Sequence, residues 1–176
     1  MIESRAKTRE IVSELCNVHY MENSTVYIPE IDLHVAGCTL WTNVSAYTFD
    51  RMNDKSIKIN KKKIYPSIVQ EWHHESKDFI HNLPKLPDNK KWILITHHCP
   101  FSPCQTEDIQ SDIRDDGYYT RMNLDKDKFS HVIYGHNHIA ADMEIDGVRY
   151  MSNPFCYPEE IEKKKNYNQY AHFIVT

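Results

Sequence analysis

Four histidines fall in two short segments of the chain, His97 and His98 in "ITHHCP" and His136 and His138 in "YGHNH". Neutral imidazole is a borderline ligand that suits zinc, iron, nickel and manganese. His136 and His138 stand two residues apart, so extended or turning backbone can aim both rings into one cavity. Gly135, just before them, permits a tight turn or a close backbone approach. A lone His-x-His says little. Two histidine clusters, each straight after a run of strand-forming residues, say much more, because ligand sites in open α/β sheets gather where strands end and loops leave. Cys99 and Cys104, either side of "PFSP", are read as packing residues, with a soft-metal contact or a redox pair as the alternative.

The elements that must position these rings can be read from periodicity. "KWILIT", Lys91 to Thr96, is an apolar run of strand length and a candidate central strand, and "SHVIY" is a second. Ser4 to Cys16 reads as a helix with Ser4 as its N-cap and Ile11, Val12, Leu15 and Cys16 on one stripe. Two β-like segments follow, Thr25 to Ile28 and Ile31 to Trp41. Pro66 opens a second helix in which Ile68, Val69, Trp72, Phe79, Ile80 and Leu83 recur at helical spacing, and Pro84 stops it. Phe101 to Asp116 is polar and reads as a long surface loop. A short helix is expected around Arg121 to Lys128. "MEIDGVRYM" gives two strands about an Asp146-Gly147 turn, and Tyr170 to Thr176 a last strand. Strands alternating with helices define an α/β or α+β class, and 176 residues suit a single domain spanning 1–176 that buries roughly two thirds or more of its unfolded surface.

The segments "ILITHHCP" and "HVIYGHNH" resemble the strand-His-His-x-Pro and strand-Gly-His-x-His segments of the calcineurin-like metallophosphoesterase family. "VAGCTLW", before the long helix, and "MEIDGVRYMSNP" resemble that family's later strands and its closing Ser-Asn-Pro, so the likeness runs from about Cys16 to Pro154. It implies an αββα sandwich, two sheets packed face to face with helices outside, and a centre of two divalent ions (Mn, Fe, Zn or Ni) that hydrolyses phosphate mono- or diesters. It also implies metal ligands at His97, His136 and His138, the first two on one ion and His138 on the other. Of the adjacent pair His97 is the expected ligand, since a strand alternates its side chains; His98 is the alternative. Substrate choice is expected in the Phe101 to Tyr119 loop beside His97.

The family's first half should supply Asp-x-His, Gly-Asp and Gly-Asn-His. Neither Gly-Asp nor Gly-Asn-His occurs anywhere in the chain. The expectation is therefore the C-terminal part of such a domain, incomplete at its N-terminus, with low activity alone and a partner segment or chain supplying the rest. A non-catalytic binding or assembly protein that retains part of the fold is the alternative. Asp32-Leu33-His34 spells the first motif but lies where a later strand is expected, with no Gly-Asp after it. His74-Glu75-Ser76-Lys77-Asp78 approaches the His-Glu-x-x-His zinc helix, and on a helix positions i and i+4 share a face, but the final histidine is missing and the pattern reads as a solvated polar face, with a zinc site as the alternative.

The net charge of −4, with 21 basic residues spread along the chain, gives no bulk attraction to nucleic acid. Lys61-Lys62-Lys63 and Lys163-Lys164-Lys165 read as solvated faces, with phosphate steering as the alternative. Five cysteines without Cys-x-x-Cys, and no apolar signal stretch after Met1, suggest a reduced, cytoplasmic protein; no run is long enough to span a membrane.

Overall fold

The computed structural model describes residues 2–101, 115–160 and 167–168. The expected last strand, His172 within it, Cys104, most of the 101–119 loop and the second lysine triplet lie outside these. A helix α1 (Ile2–Ser13) leads to β1 (Ser24–Ile28) and β2 (Leu33–Cys38), joined by a one-turn helix at Pro29–Ile31. A short helix α2 (Ala46–Phe49), a one-turn helix at Asn53–Ser56 and a small ribbon of β3 (Lys58–Ile59) and β4 (Lys62–Lys63) come next. The long helix α3 (Pro66–Asn82) precedes β5 (Trp92–Thr96), β6 (Phe129–Ile133), β7 (Ala141–Ile145) and β8 (Val148–Ser152).

Among the described residues six strands form one mixed sheet in the order β1-β2-β5-β6-β8-β7. The four inner strands run parallel, and β1 and β7 pair antiparallel with β2 and β8 at the two ends of this order. The class is thus mixed α/β. Ala36, Leu94, Val132 and Tyr150 align across the inner strands as one buried row, extended by the half-buried Met143 on β7. Against this face packs α3, whose buried residues Val69, Trp72, His73, Ser76 and Ile80 follow helical spacing. The indole N–H of Trp92 donates to the Pro84 carbonyl at 2.9 Å, tying the helix end to β5. A smaller core of Val44, Phe49, Ile64, Val69 and Trp72 holds the 43–65 segment against the same helix.

Several expectations are corrected here. Ser4 lies inside α1 instead of capping it, and the helix stops at Ser13, whose hydroxyl donates to the Glu10 carbonyl at 2.6 Å. That local bond competes with helix continuation, and Ile11, Leu15 and Cys16 are left exposed. The Arg121 to Lys128 helix does not form. Asp125 instead accepts the Asp127 N–H on its own side chain at 2.9 Å, an Asx turn, while the Lys128 carbonyl accepts the Trp92 N–H at 2.9 Å. The Asp146-Gly147 turn is present, with φ of 50° and 80° as a type I′ hairpin requires. Lys61, Lys62 and Lys63 are all exposed, as a solvated face would be. Among the described residues no helix is long and apolar enough to cross a membrane.

Truncating the fully buried Leu94 to alanine should cost about 2–5 kcal/mol of unfolding free energy. Its neighbour Ile95, 39 % exposed on the other face, should cost about 1 kcal/mol or less on the same change. Denaturant midpoints of the two variants check this; equal losses would remove α3 from its assigned face.

Candidate metal centre

The histidines stand where the backbone ladder runs past the ends of β5 and β6. The His98 N–H donates to the Thr39 carbonyl at 3.1 Å, and the Gly135 N–H to the His97 carbonyl at 3.0 Å. Three chain segments leaving the sheet are thereby held side by side. Thr39 itself is fixed by the buried Glu22, whose carboxylate accepts from its N–H at 3.0 Å and from its hydroxyl.

His97, His98 and His136 each offer a ring nitrogen within 4.8 Å of the others. His97 Nε2 lies 3.0 Å from His136 Nδ1, and the rings of His98 and His136 are 4.1 Å apart. The chain leaves the sheet after Thr96, so strict strand alternation does not turn His98 away from its neighbour. The two differ in setting. His97 lines a cavity of about 360 Å³, whereas His98 is 2 % exposed and packs against Trp41. His98 Nδ1 is 3.3 Å from the Thr39 carbonyl oxygen, which can only accept. The proton therefore sits on Nδ1, leaving the Nε2 lone pair for an ion, the orienting arrangement typical of metal-bound histidine.

Gly135 does not have the role expected of it. Its φ is not positive, and an added Cβ would meet only the His97 carbonyl at 3.9 Å, an ordinary contact. The turn falls on the histidines themselves, His136 at φ 67° and His138 at φ 55°. His138 lies on the wall of the cavity that His97 and His136 line, but its own neighbours are Cys156 and Glu160, with Nδ1 donating to the Glu160 carboxylate at 2.6 Å.

Arg51 and Asp54, for which the sequence suggested no role, also line this cavity, and so does Tyr118 from the end of the Phe101 to Tyr119 loop. Arg51 and Asp54 come from the 43–65 segment, which carries no motif, and only its packing on α3 brings it here. The Arg51 guanidinium lies over the Tyr47 ring at 3.5 Å and donates to the Tyr47 carbonyl at 2.8 Å.

Electrostatics keep the three imidazoles neutral. Burial, and then the nearby His97, push His136 down to about 4, with the Gly117 carbonyl opposing. Burial, then His136 and His97, hold His98 well below its ordinary value. Burial also lowers His97, against the pull of Asp54, whose own carboxyl is raised by burial. Three neutral nitrogen donors within 4.8 Å fit a divalent transition ion.

The Asp32-Leu33-His34 and His74-to-Asp78 patterns lie elsewhere. Asp32 and His34 sit at the opening end of β2, opposite the histidine end; Asp32 pairs with Lys90 at 2.7 Å, and His34 stacks on Tyr27. On α3, His74, Glu75 and Asp78 are exposed, while the buried His73 donates from Nδ1 to the Trp41 carbonyl at 2.7 Å. Cys99 is fully buried in the core.

Comparison with protein-family models, with curated proteins and with solved structures finds no match to this chain.

The depressed imidazoles link stability to pH with a definite sign. A histidine whose folded value lies below its ordinary 6.5 binds its proton more readily when unfolded, so stability is full above pH 6.5. It is lost as pH falls from there towards the folded value, about 4 for His136. In metal-free protein, the denaturant midpoint should drop between pH 7.5 and 5, and His136→Asn should drop less. An equal drop in both would mean that His136 carries no such burden.

Proposed function

We propose that this chain is part of a calcineurin-like metallophosphoesterase, a metal-dependent hydrolase of phosphate mono- or diesters, and that it bears the histidine-rich share of the metal centre. One observation carries the reading: His97, His98 and His136, from the ends of two adjacent parallel strands, converge within 4.8 Å beside a cavity that His138 also lines. A divalent ion held there would polarise a phosphoryl oxygen and make a water acidic enough to attack phosphorus at neutral pH. The residues of this chain would offer three neutral imidazoles to the ion once the proton shared between His97 Nε2 and His136 Nδ1 moves to the far nitrogen of its ring, and Arg51 would bring positive charge to the phosphate oxygens.

The αββα sandwich belongs to the same proposal. On the sheet face away from α3, Gly37, Ile95, Ile133 and Met151 align in one row across the inner strands, with Ile95 39 % exposed. That apolar row is where a second sheet would pack. The Asp-x-His, Gly-Asp and Gly-Asn-His ligands would come from another segment or chain. A reducing cytoplasm suits the four described cysteines, all free thiols.

Two measurements test this. His136→Ala should weaken binding of manganese, zinc or nickel by roughly tens of fold, while His74→Ala leaves it unchanged. With a family-type first half fused upstream, the chain should hydrolyse an aryl phosphodiester or monoester in a metal-dependent way, and His136→Ala should reduce this to background. The chain alone should be slow. Equal metal affinity in the two variants would sink the site, and fast turnover by the unfused chain would sink the shared centre.

A further inference from the structure

After β8 the chain turns back over the Gly-His-Asn-His loop and brings Cys156 and Glu160 against His138. The Cys156 thiol donates to the His138 carbonyl at 3.5 Å, and Glu160 Oε2 accepts from both His138 Nδ1, at 2.6 Å, and the Tyr157 N–H, at 2.9 Å. One nitrogen, one sulfur and one carboxylate oxygen of these residues lie within 4.8 Å of one another. His138 and Glu160 are each 22 % exposed, sheltered but open on one side. Both His138 and Cys156 hold left-handed backbone, φ 55° and 63°, a conformation that costs energy in any residue but glycine.

We propose that His138, Cys156 and Glu160 form a second ion seat, selective for zinc-like cations and chemically unlike the imidazole trio. It deepens the phosphoesterase reading and rests on it for the ion at His97 and His136. Ligands on a tetrahedral zinc stand roughly 3.3–3.6 Å apart, given bonds near 2.0 Å to nitrogen and oxygen and 2.3 Å to sulfur. The short His138 to Glu160 contact must therefore open and the longer ones close, by side-chain rotations on the order of an ångström. When the ion binds, the Nδ1 proton of His138 moves to Nε2 and the thiol proton leaves to solvent. Thiolate and carboxylate then cancel the dication's charge, which three neutral imidazoles cannot do. Sulfur in the set favours zinc over magnesium or manganese. His138 and Glu160 both line the cavity that His97 and His136 line, so an ion held by them would sit at its wall. A seat of this kind gives the second ion anionic ligands from within this chain.

Cobalt(II) titration of the 176-residue chain tests the seat with a readout independent of activity, because cobalt on a thiolate gives a sulfur-to-metal charge-transfer band in the near ultraviolet. The expected result is a band in the native chain that Cys156→Ser abolishes. Glu160→Gln should keep the band but weaken the ion that produces it by about tenfold or more. His136→Ala should remove the other ion and leave the band intact. Cobalt binding with no band, lost on His136→Ala, would overturn the second seat and leave the phosphoesterase reading standing. A band lost in Cys156→Ser, with cobalt uptake indifferent to His136→Ala, would do the reverse. A band that survives Cys156→Ser comes from another cysteine and overturns the seat, as does the absence of any cobalt binding.

Discussion

Two backbone hydrogen bonds hold the clustered histidines in place: His98 N–H to the Thr39 carbonyl and Gly135 N–H to the His97 carbonyl. They carry the ladder of the parallel strands one step past the point where the strands end. Inside a sheet such bonds fix register; here they fix three departing loops relative to one another, so that side chains distant in sequence are delivered to one place. Glu22 secures the first of the three by accepting from Thr39 twice. A carboxylate buried for that purpose is costly to remove, since the donors it serves would be left without a partner in a dry setting.

Burial then gives the site its chemistry. The cluster is assembled against the α3 face, with His98 under Trp41 and the long helix pinned by Trp92. Exclusion of water depresses the imidazoles and leaves their lone pairs available near neutral pH. The same exclusion makes His98 and His136 hard to protonate, so the cluster tolerates acid poorly.

The histidine clusters were legible because each follows an apolar run that must be a strand, and strand ends in parallel sheets are where loops converge. The long helix was legible through its apolar spacing and its bounding prolines, and the last hairpin through Asp146-Gly147. Local side-chain hydrogen bonds misled the reading elsewhere: Ser13 ends a helix early and Asp125 prevents one, each by satisfying backbone groups that helix geometry would have used. Gly135 was given a backbone task that its neighbours perform. Arg51 and Asp54 could not be found from sequence, because only the small core under the 43–65 segment brings them to the cavity. Cys156 and Glu160 left a faint signal, a thiol and a carboxylate four residues apart just after Ser-Asn-Pro.

The left-handed backbone at His136, His138 and Cys156 sets folding and chemistry against each other at the same positions. Glycine at any of them would release roughly 1 kcal/mol or more of conformational strain and discard a ring nitrogen or thiol. A population of variants sorted only for thermal endurance would therefore drift away from these side chains, and one sorted to keep them would stay less stable than the fold allows. A trade-off between backbone comfort and side-chain chemistry is concentrated here in three residues of two short loops.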